Sequence, residues 1–379
     1  MSVYWNKRTI NLTPYVPGEQ PRDRKFIKLN TNENPYPPSP TVIAAIEQVL
    51  AASQNTAKGE KLRLYPDPLC TEFREAVAAV YGVKPTQVFP GNGSDEVLGF
   101  AFGAFFESRS NSPSDPVNSA TITGGSAVLF PDITYSFYPV YADLWGIPYR
   151  TIPLAEDFSI NLDDYCAPSG GVIIPNPNAP TGRALPASDF LQLAGKLKQN
   201  NRVLIVDEAY VAFGAESLVP HIADHSNLLT VHTLSKSAAL AGFRIGFAIG
   251  SEELIEGLFR LRNSFNSYTM DALALAGGKA AVLDKAYYDA VNQKIMATRE
   301  RTAAALGAMG FTVTPSKANF LFVSFSKISG LTLFQALRER GILVRHFNKP
   351  RIASYLRVSI GTDEDMDAFL AACKEIIGA

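Results

Sequence analysis

The sequence predicts an α/β protein with a mainly parallel central sheet flanked by helices and a smaller α+β domain. Three observations carry this. First, Gly171-Val-Ile-Ile174 and the run Val203-Leu-Ile-Val206 that follows Arg202 are continuously apolar, as strands buried on both faces must be. Second, helical patterns separate these runs, which is the order of a parallel sheet covered by helices. Third, 379 residues exceed the size at which one hydrophobic core keeps growing, and the spacing of strands and helices changes in the last third of the chain. The expected division is an arm over 1–40, a large α/β domain over 41–265 and a small α+β domain over 266–379.

Residues 1–40 are rich in Pro, Asn and charge, without a long periodic run, and read as an arm. Ser39-Pro40 is a helix start, followed by Val42, Ile43, Ile46, Val49 and Leu50 at helical spacing. After a turn at Tyr65-Pro-Asp-Pro68, Thr71 opens a second helix that Gly82 closes. A short strand at Gln87-Val-Phe89 runs into Gly91-Asn-Gly-Ser-Asp-Glu96 and an apolar helix from Val97 to Phe106. Glycines at a strand-to-helix turn leave bare N–H groups where a phosphate is favoured; equally, the turn is a plain one with Ser94 or Asp95 as cap. The polar stretch 107–126 reads as a surface insertion and carries no assigned chemistry. A strand at Ala127–Phe130 precedes an aromatic group, Tyr135, Phe137, Tyr138 and Tyr141. Pro175-Asn-Pro-Asn-Ala-Pro-Thr-Gly182 is a rigid turn that admits a cis peptide. From about Met270 to Met309 the chain reads as helical, and short strands near 311–313, 320–323, 343–344 and 356–360 follow, with helices at 331–340 and 363–377.

A net charge of -1 and 19% charged residues lack the basic excess of nucleic-acid binding. Cys70, Cys166 and Cys373 are scattered and odd in number, which argues against a disulfide framework or zinc cluster. No apolar run has the length of a membrane span and the N-terminus lacks a signal-peptide core, so a cytoplasmic location is expected.

The chemistry centres on Thr233-Leu-Ser-Lys236, with Arg244 shortly after. A lysine whose pKa is lowered is a Schiff-base nucleophile, and an arginine with hydroxyls beside it holds phosphate. That pairing suits pyridoxal phosphate. Alone, Lys236 reads as a solvated lysine after a strand and Asp207 as a cap. Yet Asp207, Asn178 and Lys236 all fall beyond the carboxyl ends of strands, where ligands sit in such sheets.

Asn11-Leu-Thr-Pro-Tyr15, Leu29-Asn-Thr-Asn-Glu33, Tyr65-Pro-Asp67, Gly93-Ser-Asp-Glu96, Asp207-Glu-Ala-Tyr210, Thr233–Lys236 with Leu240-Ala-Gly-Phe-Arg244, and Leu356-Arg-Val358 follow one another in an order that resembles the fold-type I aminotransferases, and within them the histidinol-phosphate aminotransferase group. The resemblance covers nearly the whole chain. It implies a homodimer with pyridoxal 5'-phosphate, an amino donor and a 2-oxo acid as small-molecule partners, with no nucleic acid and no membrane. Lys236 would bond the cofactor aldehyde and later shuttle the substrate proton. Asp207 would face the pyridine nitrogen and Tyr210 the ring oxygen. The phosphate would take Ser94, Asp95, Ser235 and Arg244, with Tyr65 added from a second subunit. Tyr135 resembles the ring-stacking tyrosine, Arg357 the carboxylate clamp and Arg345 a second substrate arginine; Tyr15 would reach the other subunit's substrate. The sequence departs from the family where an asparagine normally precedes proline and bonds the cofactor oxygen: that place is Ala179, which leaves Asn178, one position earlier, or Tyr210 alone. The implied reaction exchanges an amino group between L-histidinol phosphate and 2-oxoglutarate, in histidine biosynthesis. An aromatic amino-acid aminotransferase, a phospho-amino-acid decarboxylase or a non-catalytic sensor would use the same cofactor apparatus.

Overall fold

The computed structural model describes residues 3–16, 18–21, 24–51, 57–108 and 126–378. Most of the polar stretch expected at 107–126 thus lies outside the described residues. In chain order the elements are α1 (Lys7–Asn11), β1 (Ile27–Lys28), α2 (Pro40–Leu50), α3 (Thr71–Tyr81), β2 (Val88–Asn92), α4 (Gly93–Phe105), β3 (Val128–Pro131), α5 (Phe137–Trp145), β4 (Tyr149–Ile152), β5 (Gly171–Pro175), α6 (Ala187–Lys198), β6 (Leu204–Asp207), β7 (Leu228–Thr233) and β8 (Ile245–Gly250). They continue with α7 (Glu252–Phe265), α8 (Ala272–Leu283), α9 (Lys285–Ala308), β9 (Thr312–Val313), β10 (Phe320–Ser324), α10 (Gly330–Glu339), β11 (Ile342–Leu343), β12 (Arg345–His346), β13 (Tyr355–Ser359) and α11 (Asp363–Ile377).

A seven-stranded sheet of order β2-β8-β7-β6-β5-β3-β4 forms the large layer. Strands β4, β3, β5, β6 and β7 run parallel, whereas β8 is antiparallel to both its neighbours. The predicted continuous strands are its centre: Leu204, Ile205 and Val206 are fully buried, and burying each such side chain contributes about 1.5–3 kcal/mol. Because β5, β6 and β7 are parallel, Pro175, Asp207 and Val231 come level at one end of the sheet. One apolar layer, with Val42, Phe73, Phe190 and Ile245, covers one face, and another, with Phe89, Phe102, Phe130 and Tyr138, covers the other.

Beyond it, β12-β13-β10-β9 form a four-stranded antiparallel sheet, and β1 pairs in parallel with β11. The arm is therefore stitched to the C-terminal part, and Leu29 is buried in that part's core. The expected boundary at 266 falls ahead of α8, whose Ala274, Ala281 and Val282 pack in the core of the large sheet. Two elements go beyond the sequence reading. Phe137, Tyr138 and Tyr141 of the aromatic group after β3 lie in a helix, α5, because Tyr138, Tyr141 and Ala142 fall on one buried face and Gly146 ends it at φ 69°. The helical stretch from 270 is broken at Asp284, where α8 ends and α9 starts.

No helix among the described residues is long and apolar enough to cross a membrane.

Candidate active site

Lys236 lies in the connection from β7 to β8, a pair whose residues are all buried. Its ammonium donates to the Thr31 carbonyl at 2.9 Å, and its own carbonyl accepts from Asn34 Nδ2 at 3.1 Å. Burial, followed by the nearby Arg357 guanidinium, lowers its pKa to about 8. A neutral amine is then within reach of ordinary pH.

Asp207 ends β6 and is buried. Tyr138 donates to its Oδ2 at 3.0 Å and the Ala209 N–H to its Oδ1 at 3.1 Å. Burial still raises its pKa to about 6, because these bonds do not replace a full counter-charge. Tyr210 follows, its ring edge-on to Phe320 at 5.1 Å and its oxygen accepting from Asn32 Nδ2 at 2.9 Å.

The N-terminus of α4 faces β8. Gly246 permits this approach, since a Cβ there would lie 2.3 Å from the Ser94 nitrogen. Gly93, at φ +79°, leaves room for Arg244, whose Nη2 a Cβ would meet at 2.6 Å. Asn92 does not cap the helix with its side chain, so the first N–H groups lack that partner. Arg244 pairs with Asp95 at 2.8 Å and reaches Ser235 Oγ at 3.4 Å. Ser94, Asp95, Ser235 and Arg244 are thus brought together, around a helix terminus suited to an anion. Tyr135 is close by, donating to Asp95 Oδ1 at 2.6 Å.

Arg357 on β13 and Arg345 on β12 are paired in register. Neither has a carboxylate within ion-pair distance among the described residues. Arg357 Nη2 donates to the Asn30 carbonyl at 2.9 Å, while its Nε is buried without a partner. Phe320 and Phe347 flank its guanidinium at 5.5 and 5.7 Å. Tyr15 stacks on Phe137 of its own chain at 4.3 Å. Tyr65 stands apart: it is 81% exposed, with its ring against that of Tyr268 at 4.6 Å. Asn178 is fully buried, and its amide nitrogen donates to the Ile133 carbonyl and Thr181 Oγ1, both at 3.0 Å.

Three features escape the sequence reading. Tyr138 holds Asp207, and the segment Thr31–Asn34 clamps Lys236 and Tyr210. The motif Leu29–Glu33 marks this segment, but nothing in it says that its amides serve residues so far along the chain. Buried Glu208 is the third: it accepts from Leu218 N at 2.7 Å and Ser217 Oγ at 2.6 Å, and so ties down the loop that carries Tyr210.

A lowered lysine, a buried carboxylate, a tyrosine hydroxyl and an anion cradle fit a cofactor that carries an aldehyde, a ring nitrogen and a phosphate. The family model described as aminotransferase class I and II matches residues 24–372, and the chain belongs to that family. Within it, a histidinol-phosphate aminotransferase of Clostridium acetobutylicum is 52% identical over 377 residues, with 100% of both chains covered. Histidinol-phosphate aminotransferase 1 of Bordetella parapertussis is 50% identical over 382 residues, again with 100% of both covered. Among solved structures, the histidinol-phosphate aminotransferase of Sinorhizobium meliloti, in complex with pyridoxal-5'-phosphate, superposes with a TM-score of 0.84 at 24% identity, covering 100% of this chain and 98% of that one.

Proposed function

We propose that this chain is a pyridoxal-phosphate-dependent transaminase that exchanges an amino group between L-histidinol phosphate and 2-oxoglutarate, in histidine biosynthesis. The observation that carries the reading is the pair Arg357 and Arg345, in register and without a carboxylate among the described residues. Both guanidinium groups are half-buried, and a partly desolvated cation without a counter-ion is matched by a ligand that supplies one. A 2-oxo acid brings a carboxylate and histidinol phosphate brings a phosphate, each matched to a planar donor fork. The full-length relatives named for this substrate support the same reading.

Pyridoxal phosphate, when bound, supplies the electron sink for the substrate bond that is broken. The other roles belong to the protein. The backbone N–H groups of Ser94 and Asp95, the Ser235 hydroxyl and the Arg244 guanidinium would hold the phosphate, Asp207 would keep the ring nitrogen protonated, Tyr210 would donate to the ring oxygen and Tyr135 would cover the ring. Lys236, its pKa lowered to about 8, would take a proton from the substrate α-carbon and deliver it to the cofactor's former aldehyde carbon, which receives the amino group. Tyr15, against Phe137, lines the substrate side. Asn178, with its donors committed to Ile133 and Thr181, does not serve the ring oxygen in this reading. The enzyme works as a homodimer in the cytoplasm, each Tyr65 reaching the other subunit's phosphate.

The rings of Phe320 and Phe347 beside Arg357 favour a second reading, an aromatic amino-acid transaminase. Comparing kcat/KM for histidinol phosphate and phenylalanine, with 2-oxoglutarate as acceptor, separates the two. Histidinol phosphate is expected to be preferred at least tenfold, and a preference for phenylalanine rejects the primary assignment.

A further inference from the structure

The direction in which the Tyr210 hydroxyl points its proton is set from the N-terminal segment. Asn32 is buried and has φ 57°, a left-handed conformation that asparagine tolerates better than most residues. Its N–H donates to Ser359 Oγ at 2.8 Å, and the Ser359 hydroxyl donates in turn to Asn32 Oδ1 at 2.9 Å. That places Nδ2 on the other side, where it donates to the Tyr210 oxygen at 2.9 Å. The opposite amide orientation would confront buried Ser359 with two donors and take away the acceptor for its own proton. Asn319 Nδ2 holds the Asn32 carbonyl at 2.9 Å, so the backbone is fixed as well. The Tyr210 oxygen therefore accepts from within, and its proton is left to donate outward.

The ring is seated independently of the hydroxyl. Ala179, Ala318 and Phe320 form a small apolar cluster against which Tyr210 packs. The methyl of Ala179 thus helps to seat the ring whose hydroxyl Asn32 orients.

We propose that Asn32 is a positioning residue that turns the Tyr210 hydroxyl toward the cofactor's ring oxygen as a donor, and that it thereby offsets the amide missing at Ala179. This rests on the function proposed above. Asn32 acts through Tyr210 and does not touch the reacting atoms.

The test is the pH titration of the bound cofactor's visible absorbance in the holoenzyme, without substrate. Loss of a donor to a charged ring oxygen raises the titration midpoint, by about one pH unit for a hydrogen bond of ordinary strength. Asn32→Gly, which suits the positive φ and adds no charge, is expected to show this rise, as is Tyr210→Phe; Asn32→Ala is the second variant should glycine loosen the segment. The groups facing Tyr210 are Arg357, Asp207 and Tyr15, and none of these variants removes them. In the Tyr210→Phe background either change at Asn32 is expected to move the midpoint no further. An unmoved midpoint in the single variants, or an equal added rise in the Tyr210→Phe background, overturns the proposal. Wild-type protein that acquires no such band on adding pyridoxal phosphate rejects the proposed function instead.

Discussion

Asp207 shows how the site works against the stability of the chain that holds it. Its ordinary pKa is 3.8, and burial raises it to about 6 in the folded protein. Below 3.8 both states carry the proton; between 3.8 and about 6 the native state keeps a proton that the unfolded chain has lost. Stability therefore falls as pH rises through this window, by about 3 kcal/mol when the carboxyl is fully charged. Asp207→Asn removes that penalty. In urea unfolding of the cofactor-free protein, the variant's advantage over wild type is expected to grow between about pH 4 and 6 and then level off. An offset that does not change with pH would refute the buried-charge account. The residues legible in sequence were those whose type carries its own chemistry: Lys236, Asp207, Arg244 and Arg357. Tyr138 and Asn32 were not, because their part lies in contacts made across 69 and 178 residues of chain.

At the scale of elements, the anion cradle depends on how closely β8 approaches the start of α4. A Cβ at Gly246 would lie 2.3 Å from a backbone nitrogen, which no side-chain rotation relieves. Gly246→Ala must push strand and helix apart, at an overpacking cost of about 1–3 kcal/mol. Titration of cofactor-free protein with pyridoxal phosphate is expected to show at least a tenfold loss of affinity, with the far-ultraviolet circular dichroism retained. Unchanged affinity would mean that the cradle does not hold the phosphate. Helix starts were readable where a cap announces them, as at Ser39-Pro40. The turn at Gly91–Glu96 was readable as a helix start with two meanings, cap or cradle. Its closeness to β8 was not readable, because that pairing joins strands far apart in sequence, Gly91 opposite Gly246.

For the whole molecule, the exposed apolar side chains point to a second copy. Tyr65 is 81% exposed, Phe265 77% and Leu64 57%, although such side chains normally seek cover. Sedimentation equilibrium at micromolar concentration is expected to give twice the chain mass. Tyr65→Phe is expected to weaken cofactor binding about tenfold, as loss of a hydrogen bond to a charged group does. A monomer of full activity would refute both. By itself, the sequence determined the parallel sheet, since strands covered on both faces are continuously apolar, and it determined the family, since the motifs around Lys236 follow one another in the family's order. Tertiary structure alone decided that the arm folds back onto the C-terminal sheet, that Asn30 to Asn34 touch Arg357, Lys236 and Tyr210, and that Arg345 lies beside Arg357. The physical reason is that periodicity records which face of an element is buried, whereas a hydrogen bond between distant segments leaves no period to read.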